Sequence, residues 1–403
     1  MKAPDMRNVN GIQLLNLIAE YGPLSRASLA KLSHLSKPTV SEQVQRLIAL
    51  GTVVELGEGE APSTGGKRPT MLAFHAEAGC VAAVSIGPNA TGVAVSNLMG
   101  ERKAETELPT RASDGPRQLI ARIRTAITKL LGGKPGIAKL RAIAIGAPGR
   151  VDCDRGTVLE LANVFNWRDV DFAGPFQRSF GCAVLVDNDV NVALLGEINQ
   201  GGARNVRSAV LIRLDVGLGA AIAMDGKIHH GSHWAAGEIG HLVPSRSEIQ
   251  RESTRGYLES VVGADRIAAL VKTAARRVPA LRRHLKTKSP IAALYGAAGE
   301  DATAAEMARE ITHHLCSAVS QHALVCDPEV VLLSGEIFPF ILPEIREFFA
   351  RTIPWTIAVT MSELGEDAVL LGATGLALNS SYEQLSRELQ LYDSRLAVAA
   401  HGA

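Results

Sequence analysis

The chain has 403 residues, a formal net charge of +1, 46% hydrophobic and 21% charged residues, a globular composition that excludes disordered and collagen-like chains. The length exceeds one core of usual size and predicts two or three domains. Five scattered cysteines (Cys80, Cys153, Cys182, Cys316, Cys326) with no Cys-x-x-Cys pair, no stretch of about 18 apolar residues, and no signal peptide exclude a disulfide scaffold and a membrane span, and predict a protein of the reducing cytoplasm.

Residues 10–21 carry a wide apolar stripe (Ile12, Leu14, Leu15, Leu17, Ile18) stopped by Gly22-Pro23, which predicts a helix. Ser25 is placed to cap a short second helix. After a tight turn, Ser36 is placed to cap a third helix, with Pro38 in its first turn and Gly51 beyond its end. Two short helices joined by a tight turn predict a helix-turn-helix. On the third helix Val40, Val44, Leu47 and Ile48 face inward. The opposite face carries Pro38, Thr39, Glu42, Gln45 and Arg46, with Gln43 at its edge. Such a face suits base edges in a major groove, and Lys37 suits phosphate. Residues 23–49 hold four cations (Arg26, Lys31, Lys37, Arg46) against Glu42, a net of +3 in a balanced chain. Strand-like segments at 52–56 and 70–74 flank a loop ending Gly65-Gly66-Lys67-Arg68-Pro69, the outline of a winged helix. A small helical module that binds protein shares this pattern.

Beyond residue 76, short apolar strands are expected at 81–86, 91–97 and 103–108, a helix at 117–131, and a strand at 142–145 running into Gly146-Ala147-Pro148-Gly149. A second round follows: strands at 184–186, 209–214 and 330–333, with a helix after the first. The 38 glycines and only 4% aromatics agree with an α/β fold of two similar lobes around a cleft.

Three features there bear on chemistry. Asp187, Asn188, Asp189 and Asn191 follow a strand; carboxylate and amide groups suit the hydroxyls of a polyol, and an Asp can act as general base. The same residues also suit an Asx turn capping the next helix. Gly237-Glu238-Ile239-Gly240-His241, with Glu259 downstream, can clasp hydroxyls. His229, His230, His233 and His241 fall within thirteen residues, but without a nearby cysteine or a metal-ligand spacing, so no metal is expected. Gly217-x-Gly219 after a strand is either a phosphate cradle or a tight turn.

Together these residues resemble the ROK family of sugar-responsive repressors and sugar kinases. Residues 214–241 follow its signature through Gly217, Gly219, Ala221, Gly231, Gly237, Gly240 and His241. Ser25-Arg26-Ala27, Leu35-Ser36-Lys37-Pro38-Thr39-Val40-Ser41 and the Gly65–Pro69 wing resemble the repressor branch. The resemblance implies an N-terminal winged helix-turn-helix (1–75) followed by a two-lobed, actin-like and hexokinase-like domain. Its first lobe would span 76–190, closed by a C-terminal helix from about 373 to 395, and its second lobe 191–372. It implies DNA contacts from Arg26, Lys37, Thr39, Ser41, Glu42, Gln43, Gln45, Arg46, Lys67 and Arg68. It also implies a sugar site of Asn163, Asn188, Asp189, Glu238, His241 and Glu259, in which the Asp of the Asn-Asp pair is the base in the kinases.

Two departures qualify the resemblance. The kinases' Asp-x-Gly-x-Thr phosphate loop is Ser85-Ile86-Gly87-Pro88-Asn89 here, and the Gly-Thr of the second phosphate loop is Asp215-Val216. A carboxylate there repels a triphosphate and valine offers no donor. The family's zinc run of three cysteines is Gln250, Glu252 and Tyr257 within residues 250–259, so its zinc is expected to be lost and no cofactor is expected. The reading is a regulator, a repressor of sugar-uptake or catabolic genes, that binds operator DNA as a homodimer or homotetramer and senses a sugar or sugar derivative without phosphorylating it. The alternative is a sugar kinase with a DNA-binding arm that uses Asp189. A regulator controlled by a protein partner is a third possibility. Residues 381–403 receive no role.

Overall fold

The computed structural model describes residues 6–59, 68–111, 113, 115–132, 139–161, 167–243 and 256–401. The chain opens with α1 (Met6–Tyr21), a two-residue strand β1 (Leu24–Ser25), α2 (Arg26–Ser33), α3 (Lys37–Ala49), β2 (Val53–Glu58) and β3 (Thr70–Phe74). Ser25 Oγ accepts from Ser28 N and Ser36 Oγ from Thr39 N, so both expected caps form. The strands β1, β3 and β2 make an antiparallel wing. Leu14, Ile18, Leu29, Val40, Val44, Leu47 and Leu72 fill the core of this module.

The first lobe contains β4 (Cys80–Ile86), β5 (Ala90–Asn97), β6 (Arg102–Pro109), α4 (Pro116–Gly132) and β7 (Leu140–Ala147). It continues through β8 (Arg150–Asp152), β9 (Thr157–Leu161), β10 (Trp167–Asp171), α5 (Ala173–Phe180), β11 (Ala183–Asn188) and α6 (Asp189–Gln200). Its main sheet runs β11-β7-β4-β5-β6, and β8, β9 and β10 form a small side sheet that the sequence pattern had not indicated. The second lobe contains β12 (Ala209–Leu214), β13 (Leu218–Met224), β14 (Lys227–Ile228), α7 (Tyr257–Val262), α8 (Ala264–Ala274), α9 (Pro279–His284), α10 (Pro290–Ala298), α11 (Ala302–Cys326), β15 (Val330–Ser334), α12 (Phe338–Thr352) and β16 (Ala358–Met361). Its sheet runs β14-β13-β12-β15-β16, so each lobe joins a parallel trio to an antiparallel meander in the same order. Among the described residues no helix is long and apolar enough to cross a membrane.

The last helix, α13 (Ala368–His401), unites the three parts. It lies against α6 between the two sheets. Val81 and Ala83 of β4, Leu211 of β12, Leu332 of β15, Val192 of α6 and Ala373 and Ala377 of α13 share one core. The helices approach closely because Gly196 and Gly372 face each other. A Cβ on Gly372 would lie 1.8 Å from Val192 O, and one on Gly196 would lie 2.4 Å from Ala368 O. The helix then runs on to the N-terminal module. Tyr382 donates to Leu98 O at 2.9 Å, Glu388 pairs with the buried Arg141 of β7 at 3.1 Å, and Leu389 inserts into the winged-helix core. Residues 381–401, without a role in the sequence reading, thus form a strut to the winged helix.

Replacing Gly372 with alanine should force the α6–α13 crossing apart and cost several kcal/mol, within the range of severe core disruptions. A thermal melt of the full chain checks this: a large drop in Tm is expected, whereas alanine at the open Gly299 should leave Tm nearly unchanged.

Candidate functional site

Two sites were expected, and the structure arranges them differently from the sequence reading in several places. On α3, Lys37, Ser41, Glu42 and Gln45 are exposed and Thr39 is partly exposed, so these five share the outward face. Arg68 at the edge of the wing is exposed, and Lys67 lies outside the described residues. Arg26 is half-buried and donates to Glu55 of β2 at 2.9 Å, which ties α2 to the wing.

Gln43 and Arg46 do not share that face. Gln43 is 1% and Arg46 7% exposed. Arg46 Nη1 donates to Gln43 Oε1 at 2.6 Å and Nη2 to Leu389 O at 3.3 Å. They flank the apolar stripe of α3, and α13 covers that flank. A helical wheel shows polarity and not what packs against it, and the covering helix lies some 340 residues away in the chain. Neither residue is available to read a base, which corrects their assignment to the DNA face.

The second site is a cleft of about 500 Å³ between the lobes. Its walls come from strand ends, where open α/β sheets place their ligands. The turn after β7 gives Pro148 and Gly149, and the start of β8 gives Arg150; the β11–α6 junction gives Asn188 and Asp189; the β12–β13 hairpin gives Arg213 and Asp215 to Gly219; and Glu238, His241 and Glu259 close it from the second lobe. Five of the six expected sugar-site residues therefore meet in one cavity. Asn163 lies outside the described residues, as do Gln250 and Glu252 of the altered zinc run.

Within the cleft each residue has a distinct task. Asn188 is the N-cap of α6: its Oδ1 accepts from Val190 N at 2.8 Å and Asn191 N at 3.2 Å, while its Nδ2 donates to Gly149 O at 2.9 Å. The Asx-cap reading and the cavity reading both hold for it, but only part of its amide is left for a ligand. Asp189 begins α6, and burial raises its pKa, with Arg213 opposing that shift. Glu238 keeps contact with the open cleft, yet the crowding walls raise its pKa too, and Glu259 adds to the effect. Glu259 is 7% exposed, packed under Gly217 and Gly240. Gly237 shapes this wall: its φ is +87°, and a Cβ would meet Ala220 O at 2.0 Å.

The cavity also contains residues that motif reasoning missed. Arg150 reaches toward Glu160 of β9 at 3.8 Å and donates to His233 O at 3.2 Å, linking the first lobe to the second. Arg213 pairs with Asp215 at 3.5 Å. Asp215 and Val216, which depart from the second kinase phosphate loop, line the same cleft, as does Pro88 of the first loop. Gly217 and Gly219 belong to the tight β12–β13 hairpin, in which Leu214 pairs with Leu218.

A scan against known families matches residues 81–380 to the ROK family and residues 7–54 to a winged helix-turn-helix DNA-binding domain. The protein belongs to the ROK family. It carries the N-terminal winged helix-turn-helix of that family's transcriptional regulators. It is 27% identical over 390 residues to a xylose repressor of Caldicellulosiruptor bescii, covering 93% of this chain and 96% of that protein. It is 28% identical over 306 residues to a glucokinase of Halalkalibacterium halodurans, covering 72% of this chain and 92% of that one. Among solved structures, a ROK family transcriptional regulator described as a homologue of the Escherichia coli Mlc protein superposes with a TM-score of 0.78 at 23% identity, covering 95% of this chain and 98% of that one. The expected α/β fold, a winged helix before two actin-like lobes, is thus the fold of a known ROK regulator.

Removing the Arg46 side chain leaves Gln43 Oε1 and Leu389 O buried without this donor, so Arg46→Ala should destabilise the N-terminal module by about 1–3 kcal/mol. Chemical denaturation followed in the full chain reads this directly. Loss of DNA binding without any loss of stability would instead return Arg46 to the DNA face.

Proposed function

We propose that the protein is a transcriptional repressor of genes for sugar uptake or breakdown, and that its interlobe cleft binds a sugar or sugar derivative as effector without phosphorylating it. The observation that carries the reading is the asymmetry of the cleft. The hydroxyl-clasping side retains Asn188, Asp189, Glu238, His241 and Glu259. The phosphate side presents Pro88, the Asp215 carboxylate and the apolar Val216, with Ser85 at the end of β4 where the kinases carry an aspartate. Catalysis of phosphoryl transfer rests on positioning and neutralising the phosphate charge, and this side supplies little for either task. The cysteine-less run 250–259 supports a family zinc site that is no longer used.

DNA contact falls to Lys37, Thr39, Ser41, Glu42 and Gln45 of α3 and to Arg68 at the edge of the wing, with Lys67, its neighbour in sequence, and Arg26, whose guanidinium is tied to Glu55 of β2, as further candidates. Two copies of the chain would place two such helices in successive major grooves. The effector signal has a physical route. Ligand at Asn188 and Asp189 bears on the N-terminus of α6, α6 bears on α13 at Gly196 and Gly372, and α13 ends against Arg46 and Leu389. From Gly372 to Leu389 the helix spans roughly 26 Å at about 1.5 Å per residue. A few kcal/mol of differential affinity for two lobe arrangements is enough to shift the module it holds.

A gel shift on DNA from upstream of the protein's own gene, at two salt concentrations and with a panel including xylose, glucose and N-acetylglucosamine, tests the reading. A specific, salt-sensitive complex released by one sugar is expected. Gln45→Ala should weaken that complex by about 1–3 kcal/mol while sparing random DNA. Glu238→Ala should retain DNA binding and lose the sugar response. With MgATP and the same sugars, no turnover is expected; ADP release abolished in Asp189→Asn would establish the kinase instead.

A further inference from the structure

Behind the cleft, outside the hydroxyl-clasping residues, three donors converge that the sequence keeps far apart. Cys153 stands in the turn after β8, Asp187 near the end of β11, and His230 after β14. One donor atom from each lies within 4.8 Å of the others. Asp187 is 6% exposed, and its Oδ1 is held by Asn188 N at 2.6 Å and Asn191 Nδ2 at 2.9 Å, which leaves Oδ2 aimed at His230 Nε2, 2.8 Å away. The His230 ring is set by an edge contact with Trp234, ring centres 5.3 Å apart. The Cys153 thiol donates to Val151 O at 3.8 Å and also interacts with the Asp187 carboxylate, and Asp152 and Asp154 flank it in sequence.

We propose that Cys153, Asp187 and His230 form a site for a divalent thiophilic ion of the zinc class, with water as the fourth ligand. A thiolate, an imidazole and one carboxylate make a soft-to-borderline donor set that favours zinc or cobalt over magnesium or calcium. Tetrahedral bonds of about 2.0–2.3 Å place donors roughly 3.3–3.8 Å apart, within reach of side-chain rotation from the present spacing. Binding replaces the hydrogen bond between His230 Nε2 and Asp187 Oδ2, leaving the imidazole neutral with its hydrogen on Nδ1, and releases the Cys153 thiol proton to solvent. The carboxylate is already fixed by two hydrogen bonds, the kind of outer support that metal ligands use. The set is separate from the run 250–259 in which the family's cysteines are missing.

The location gives the ion a consequence. Cys153 and Asp187 belong to the first lobe and His230 to the second, so the ion pins the lobes together beside the contact of Arg150 with His233 O. Asp187 also immediately precedes the α6 cap, so the pin sits at the root of the helix that faces the effector. This inference stands on the three side chains and is independent of whether the effector is a sugar.

The test uses the full chain stripped of metal by chelation and titrated with Co²⁺. One equivalent should bind with a near-ultraviolet thiolate-to-cobalt charge-transfer band and with visible bands of tetrahedral cobalt, and Zn²⁺ should bleach both. Cys153→Ser should abolish the charge-transfer band, whereas Cys182→Ser, a first-lobe cysteine outside the set, should retain it. His230→Ala, whose ring is partly exposed, should weaken Co²⁺ binding by at least about tenfold and provides a reading even if the Cys153 variant folds poorly. Absence of any thiolate band in the wild-type chain, or a band that survives in Cys153→Ser, overturns the proposal.

Discussion

The rest of the molecule depends on the close crossing of α6 and α13. Two helices can approach this closely only where backbone meets backbone, and Gly196 and Gly372 supply that meeting. The crossing fills the space between the two sheets with one apolar layer. It fixes the N-terminus of α6 at the cleft and directs α13 toward the winged helix. Cleft and DNA-binding module are therefore two ends of one packed unit, joined through α6, whose N-terminus faces the cleft, and α13, whose far end enters the module.

That arrangement explains why polar residues of the reading helix are buried. Gln43 and Arg46 fasten α3 to the end of α13, and the guanidinium reaches both a side-chain amide and a backbone carbonyl there. A buried charged group is retained at a cost unless its hydrogen bonds are made, and these bonds hold only while α13 stays in register. The junction is thus specific in geometry, which a purely apolar contact at Leu389 would not be. Arg141 with Glu388 and Tyr382 with Leu98 O brace the same helix from the first lobe.

The cleft has a comparable division. Its floor is built from helix caps and strand ends, so the groups facing a ligand are also groups that hold the lobes in shape. Asn188 caps α6 and joins Gly149, and Asp187 fastens Asn191 and His230. A ligand bound at these positions would touch elements that already connect the lobes. The contacts of Arg150 with His233 O and of Asp187 with His230 join the two lobes beside the cleft.

The sequence by itself determined what local physics controls. The caps at Ser25 and Ser36, the turn at Gly51, the alternating strands and the strand-end cluster at 187–191 are all set by neighbours within a few residues. The winged helix and the two-lobed fold were legible for that reason, whereas the gathering of Asn188, Asp189, Glu238, His241 and Glu259, which come from separate elements, followed only from the family resemblance. What only the tertiary structure decided involves partners distant in the chain. The burial of Gln43 and Arg46 depends on α13, and the contribution of Arg150 and Glu160 to the cleft depends on a side sheet with weak alternation. The use of residues 381–401 depends on a module at the other terminus. The meeting of Cys153, Asp187 and His230 depends on three strands from two lobes. Periodicity tells which face of an element is polar; it does not tell whether water, DNA or another helix lies against that face.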